Sequence, residues 1–131
     1  MKLLLDTSIC VPLINRSDPE LKRRLLAEAP NSVLLCSVVK AELFFGARNS
    51  TRAAENLDRA ERFCRGFESV PFDDEAAWHY GSIRAQLRRE GRPIGANDLM
   101  IAAIALAANL TLVTRNLDEF RRVPTLPVQA W

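Results

Sequence analysis

The fold is decided by the stretch Leu3-Leu4-Leu5-Asp6-Thr7-Ser8, close to the start of the chain. A short apolar run that stops abruptly at an acid is typical of a buried strand that ends at the edge of a sheet. Similar apolar runs recur along the chain, and segments with helical periodicity separate them. Strands that alternate with helices in this way favour a parallel sheet covered by helices on both faces.

Capping and breaking residues set the predicted boundaries. Asp18 and Pro19 combine a helix N-cap with a proline at the first helical position, whereas Gly66 and Gly91 each follow the end of a helix. The sequence predicts strands at 2–5, 33–36, 67–72, 110–113 and 126–128, helices at 19–29, 37–48, 51–65, 73–90 and 97–108, and a helical turn at 117–122. We therefore expect an α/β protein: one domain over residues 1–131, a three-layer α/β/α sandwich with a mostly parallel central sheet.

The composition excludes several classes of protein. The chain is 48% hydrophobic and 26% charged, and its 18 Lys and Arg nearly balance its 16 Asp and Glu, for a net charge of +2. This balance does not by itself indicate nucleic-acid binding. The longest apolar run, residues 99–108, is too short to span a membrane, and Cys10, Cys36 and Cys64 form no CxxC pair. We expect reduced core cysteines, a cytoplasmic location and no membrane partner.

Three acids lie in unusually apolar surroundings. Asp6 follows the first strand, Glu42 lies on the apolar side of the predicted helix at 37–48, and Asp98 opens a helix that is apolar on all sides. Each position also has a purely structural explanation. Asp6 can close an Asx turn or cap a helix, Glu42 can pair with a buried arginine, and Asp98 can interact with a helix dipole.

These three acids could also meet at one edge of the sheet. Parallel α/β sheets bind ligands beyond the carboxyl ends of their strands, where Asp6 and Thr114 are expected. Carboxylates without an opposing Lys or His call for a cation, and oxygen ligands select hard ions such as Mg²⁺ or Mn²⁺. The chemistry typical of such a site is phosphodiester hydrolysis, in which the metal activates the attacking water.

Four motifs and the C-terminal end together resemble the PIN-domain ribonucleases, and within them the VapC toxins of bacterial toxin–antitoxin pairs. Each motif is weak alone, but they occur in order across the whole chain. The matching segments are LLLDTS (3–8), SVVKAELFFGA (37–47), GRPIGANDLMIAA (91–103), LVTRNLDEF (112–120) and LPVQAW (126–131).

The resemblance implies a Mg²⁺-dependent endoribonuclease that acts on RNA, often a structured RNA such as tRNA. Asp6, Glu42 and Asp98 would be the catalytic acids and the metal ligands, with Asp6 and Asp98 the direct ones. Asn116 stands where many relatives carry a fourth Asp, so a second metal would be held more weakly there. Glu119 or Asp118 could supply the missing charge, and Glu119 is favoured.

Further residues are candidates for holding RNA. Thr114 would position a ligand or a water by its hydroxyl. Arg88, Arg89, Arg92 and Arg115 could hold RNA phosphate near the site, although a solvated helix face explains them equally simply.

The resemblance also implies protein partners. A small VapB-type antitoxin would lay its tail along a helical groove within residues 19–66, which carry Phe44, Phe45 and Phe63, and the toxin commonly forms a homodimer. Phe44 and Phe45 cannot share one helix face, so one of the two rings should lie near the surface.

Two other functions compete with this interpretation. One is a PIN-like scaffold that binds RNA or protein without cutting, which the Asn116 departure supports. The other is a small phosphotransfer domain with Asp6 as the nucleophile, which lacks a second Asp two residues further on.

Overall fold

A parallel sheet forms the centre of the protein, whose computed structural model describes residues 1–131. Its strands are β1 (Leu3–Leu5), β2 (Val33–Cys36), β3 (Glu68–Val70), β4 (Thr111–Val113) and β5 (Val128–Gln129). The helices are α1 (Thr7–Ile14), α2 (Pro19–Leu26), α3 (Ser37–Arg48), α4 (Ala53–Arg65), α5 (Asp74–Arg89), α6 (Ala96–Ala107) and α7 (Leu117–Phe120). The predicted α/β/α architecture is confirmed.

The order of the strands places β1 in the middle. The sheet runs β3-β2-β1-β4-β5, and every neighbouring pair is parallel. The chain first builds outward from β1 through β2 to β3 and then returns to the other side of β1 for β4 and β5. A parallel sheet whose order reverses in this way leaves a crevice at the carboxyl ends of the strands on either side of the reversal.

The core explains why the central strands β1 and β2 are uniformly apolar. Leu3, Leu4 and Leu5 of β1 are at most 1% exposed, because helices cover both faces of the sheet. Helix α6 is buried on nearly every side and packs against α5, whereas α3 packs against α4. The three cysteines are free thiols within this core, as predicted. No helix is long and apolar enough to cross a membrane.

The sequence prediction misses one helix and shifts several boundaries. Helix α1 follows directly on Asp6 although it contains Pro12, which lacks the N–H needed for an interior helical hydrogen bond. Helix α6 begins at Ala96 with Gly95 as its N-cap, so Asn97 lies inside the helix rather than capping it. Strand β3 is shorter than the predicted 67–72, and α2 ends at Leu26.

Candidate active site

Asp6 and Thr114 lie side by side because β1 and β4 are neighbours. Leu5 pairs with Val113, so the next residue on each strand reaches the carboxyl edge of the sheet together. The backbone N–H of Asp6 donates to the carbonyl of Val113 at 2.9 Å. Asp6 is 4% exposed and Thr114 is 0% exposed, and they are the only two polar residues that are buried. The sheet therefore places a carboxylate at its edge and keeps it almost entirely out of water.

The carboxylate of Asp6 accepts hydrogen bonds only from neutral groups. Its Oδ1 accepts from the backbone N–H of Thr7 at 2.7 Å, which makes Asp6 the N-cap of α1. Its Oδ2 accepts from Ser8 Oγ at 2.8 Å and from Thr114 Oγ1 at 2.7 Å. Each carboxylate oxygen has two lone pairs, so Oδ2 is fully used and Oδ1 keeps one free. The predicted capping role is present, and it leaves one lone pair for a ligand.

The loop after β4 is fixed by the same groups. The backbone N–H of Arg115 donates to Ser8 Oγ at 3.0 Å, and that of Asn116 donates to Thr114 Oγ1 at 2.9 Å. Each hydroxyl thus accepts from the loop and donates to Asp6. This arrangement holds the residues after β4 against the start of α1.

Glu42 reaches the same edge from α3. It is half-buried, and its Oε1 accepts a hydrogen bond from Thr7 Oγ1 at 2.8 Å. A buried arginine partner, the structural alternative for this acid, is not present, since no salt bridge involves Glu42. Thr7 therefore connects the two acids: its N–H donates to Asp6 and its hydroxyl donates to Glu42.

Asp98, Asn116 and Glu119 form the other side of the site. Asp98 lies in the first turn of α6, where the helix dipole favours a negative charge. The Nδ2 group of Asn116 donates to Glu119 Oε2 at 2.7 Å and lies 3.5 Å from Asp98 Oδ2. Asn116 thus presents donors to both carboxylates through Nδ2, while its Oδ1 accepts no hydrogen bond. Asp118 is exposed, so Glu119 is the acid that adjoins Asn116.

The electrostatics of this edge are dominated by negative charge. Burial of the Asp98 carboxyl raises its pKa to about 8, and its hydrogen bond with Glu119 and the charges of Asp6, Glu119 and Glu42 act in the same direction. The pKa of Glu119 is lowered, chiefly because it accepts the hydrogen bond from Asp98. Crowding of negative charge at this edge therefore makes the Asp98 carboxyl harder to ionise than that of Glu119.

No positive side chain forms a salt bridge with this cluster, although the charge of Arg122 acts on Glu119. Asp6, Glu42, Asp98 and Glu119 take part in none of the salt bridges. Their oxygens are the hard donors that Mg²⁺ and Mn²⁺ prefer. As they stand, no three acids, histidines or cysteines are arranged to hold a metal ion. The donor chemistry suits a hard cation, and the side chains are oriented by protein hydrogen bonds.

The arginines considered for RNA binding lie in different places. Arg115 forms a salt bridge with Asp18 at the start of α2, and this contact is the main reason why the pKa of Asp18 is lowered. Arg92 lies on the loop after α5 and Arg89 lies at the end of that helix, and both are exposed. Arg88 lines a cleft between α5 and α6.

Sequence reasoning missed the roles of Thr7 and Ser8. Their side chains orient Glu42 and Asp6, and they link α1 to α3 and to the loop after β4. The detectable pattern was the polar pair Thr7-Ser8 placed directly between Asp6 and an apolar segment. The missed helix α1 concealed it, because only a helix that starts at Thr7 presents both hydroxyls to the sheet edge.

Comparison with known proteins places the chain in a family. The model of the PIN domain matches residues 3–126. The chain is 37% identical over 132 residues to Ribonuclease VapC2 of Rickettsia felis, a match that covers 100% of this chain and 98% of that protein. It is 35% identical over 131 residues to the tRNA(fMet)-specific endonuclease VapC of Salmonella typhimurium, with the same coverage.

Solved structures give the same result. The crystal structure of VapBC2 from Rickettsia felis, bound to a DNA fragment from its promoter, matches with a TM-score of 0.94 and 36% identity, over 100% of this chain and 99% of that one. The DNA-bound VapBC of Salmonella typhimurium also matches with a TM-score of 0.94, at 35% identity over 100% of this chain and 98% of that one. With both sequence and fold matched over its full length, the chain belongs to the PIN-domain family and, within it, to the VapC ribonucleases.

Proposed function

We propose that this chain cleaves the phosphodiester backbone of RNA by hydrolysis, with Mg²⁺ bound at the carboxylate edge, as the toxin of a toxin–antitoxin pair. The observation that carries the proposal is the cluster of Asp6, Glu42, Asp98 and Glu119, which share one sheet edge without a salt bridge to any basic side chain. A fold would gain stability from replacing such a cluster, so its presence indicates a functional requirement.

The candidate ligands follow from the hydrogen bonds. Asp6 would bind through Oδ1, which keeps a free lone pair, and Asp98 and Glu42 would supply the other protein oxygens. Mn²⁺ suits the same donors. A hard divalent ion bound there would activate the attacking water and stabilise the charge that develops on the scissile phosphodiester.

The surrounding residues hold the acids in place. Thr114 and Ser8 fix Oδ2 of Asp6, and Thr7 fixes Glu42. Asn116 would keep Glu119 and Asp98 together by donating to both, and its role as a weak oxygen ligand for a second metal stays a prediction. Such supporting contacts orient metal ligands and affect affinity and activity nearly as strongly as the ligands themselves.

The substrate and the partner are proposed from the relatives. A relative with 35% identity over the whole chain is named a tRNA(fMet)-specific endonuclease, so initiator tRNA is the first substrate to test. Arg92 and Arg115 are the candidates for holding its phosphates, and Arg115 keeps 40% of its side chain exposed despite its salt bridge with Asp18. The matched VapBC complexes support a VapB-type antitoxin as partner. Homodimer formation stays a prediction.

This chain has a groove between α3 and α4 that would suit the antitoxin. A cleft of about 500 Å³ there is lined by apolar side chains, among them Phe44 and Phe67, and by charged ones, in which Lys40, Arg48 and Arg65 outnumber Glu61. Phe63 packs against Phe67 with 5.0 Å between ring centroids, so it supports the wall of the cleft. An amphipathic segment with an acidic side would fit this surface.

The test is cleavage of purified initiator tRNA with Mg²⁺ and with EDTA. We expect cleavage only with Mg²⁺, and products without a 2′,3′-cyclic phosphate, because water rather than the ribose 2′-hydroxyl attacks. Cyclic phosphate ends, or equal cleavage in EDTA, would contradict the mechanism. Absence of cleavage of any RNA by a folded chain would favour the non-cutting scaffold.

A further inference from the structure

A second cleft adjoins Glu42 on the side away from the α3–α4 groove. It has a volume of about 580 Å³ and lies between α3, α6 and the start of α1. Val38, Phe45 and Met100 give it apolar walls, while Ser37 and Asn97 add a hydroxyl and a side-chain amide. The size falls within the range of small-ligand sites, which combine apolar walls with a few polar groups.

We propose that this cleft binds a nucleobase of the RNA next to the scissile phosphate, with the base stacked on the ring of Phe45. The proposal rests on the proposed ribonuclease function. Glu42 and Thr7 line the cleft and also belong to the carboxylate edge, so a nucleotide whose phosphate lies at that edge has its base within reach.

Phe45 is the residue that favours a base as the occupant. Its side chain is 70% exposed and lines the cleft beside Glu42, so the face of the ring is available to a ligand. RNA enzymes bind unstacked bases on such aromatic rings, because every base has a π-face. Asn97 presents both donors and an acceptor, which can pair with the edge of a base held there.

The two neighbouring phenylalanines serve different clefts. Phe44 lines the groove between α3 and α4, whereas Phe45 lines the cleft between α3 and α6. The groove assigned to the antitoxin therefore lies on a different face of α3 from the cleft that Phe45 lines. This separation favours RNA rather than the antitoxin tail as the ligand of Phe45.

The test compares Phe45→Leu and Phe45→Trp with the wild-type chain. Leu keeps apolar bulk but cannot stack, whereas Trp can. We expect Phe45→Leu to bind RNA about tenfold more weakly in EDTA and to show a KM for cleavage raised by about the same factor, with kcat little changed. Phe45→Trp should keep the RNA affinity and the KM close to those of the wild-type chain. Trp78→Leu, which removes a ring of equal exposure on α5, is the matched control and should change neither value.

An RNA with a missing base identifies the contact directly. After the cut is mapped, the base on either side of it is replaced by an abasic residue. One of the two replacements should weaken wild-type binding about tenfold and should cost Phe45→Leu almost nothing further, since the stacking partner is already absent.

The failures of the two proposals are distinguishable. If the wild-type chain cuts no RNA, the ribonuclease function and the base site both fall. Only the base site is wrong if the wild-type chain cuts RNA but Phe45→Leu binds RNA normally. The same holds if the abasic RNA weakens binding by Phe45→Leu as much as it weakens binding by the wild-type chain. A Phe45→Leu variant that loses affinity solely for the antitoxin, or that changes only the oligomeric state of the chain, would show that the cleft is a protein contact, which also overturns the proposal.

Discussion

Thr114 donates its hydroxyl proton to Oδ2 of Asp6 at 2.7 Å, across 108 positions of sequence. Both residues are buried, and they stand at the ends of β1 and β4, the strands between which the sheet order reverses. The same hydroxyl accepts the backbone N–H of Asn116. This single oxygen therefore connects the fold to the chemistry of the site, because it orients the buried acid and also fixes the loop that carries Asn116.

Replacing Thr114 by Val should damage both stability and activity. The shape is kept, but Asp6 loses a donor and the N–H of Asn116 loses its acceptor, so we expect the free energy of unfolding to fall by about 1–3 kcal/mol. RNA cleavage should fall about 10–100-fold, as for other groups that orient a metal ligand. Chemical denaturation and single-turnover cleavage measure the two effects. Thr114→Ser keeps the hydroxyl and should retain most of the stability and most of the cleavage activity. Equal losses for the Ser and Val variants would show that the hydroxyl does not hold Asp6 and the loop.

Replacing Asn116 by Asp should exchange stability for metal affinity. The amide that donates to Glu119 and approaches Asp98 becomes a third carboxylate, so in EDTA the free energy of unfolding should fall by about 1–3 kcal/mol. Mg²⁺ should bind more tightly, because charged oxygens hold it better than an amide does. Thermal unfolding with and without Mg²⁺ gives both values.

Asn116→Ala separates the two causes. It removes the donor without adding charge, so it should lose stability in EDTA and gain no affinity for Mg²⁺. Tighter Mg²⁺ binding by Asn116→Ala, or no gain in Mg²⁺ affinity in Asn116→Asp, would show that charge at this position does not limit ion binding.

The cysteine thiols should be unreactive in the folded protein. Burial raises the pKa of Cys36 to about 11 and also raises the pKa values of Cys10 and Cys64. Only the thiolate attacks a disulfide reagent, so at pH 8 a raised pKa means a smaller reactive fraction, and burial limits access. We expect Ellman's reagent to react slowly with the native chain and to titrate three thiols in denaturant. Rapid reaction of the native chain at one thiol would show that part of the core opens readily.

Much of the fold could be predicted because its central strands carry an unambiguous apolar pattern. Strands such as Val33–Cys36 are fully buried and uniformly apolar, and the helices between them have clear caps such as Asp18 and Asp73. Helix α1 escaped prediction because Pro12 argues against a helix and eight residues give little periodicity. Its position is fixed by tertiary contacts, through Asp6 and Ser8, that local patterns do not contain.

The acids of the candidate site could be predicted from the sequence, but the hydrogen bonds that orient them could not. Asp6, Glu42 and Asp98 stood out because acids in apolar segments are costly, and the structure brings all three to one edge. The donors that orient them come from Thr7, Ser8 and Asn116. The bonds that join separate elements, Thr7 to Glu42 and Asn116 to Asp98, span 35 and 18 positions. Hydrogen bonds of that range depend on strand order and helix placement, so no spacing within the sequence indicates them.

The most direct test of the account is Mg²⁺-dependent cleavage of initiator tRNA by Asp6→Asn beside Asp58→Asn, which removes an exposed carboxylate from α4 as the matched control. Asp6→Asn keeps the size of the side chain and removes the charge that would hold the ion. We predict that cleavage falls at least about 100-fold and that Mg²⁺ no longer raises the Tm, while Asp58→Asn matches the wild-type chain. Cleavage by Asp6→Asn at the wild-type rate would show that the Asp6 carboxylate does not hold the catalytic ion.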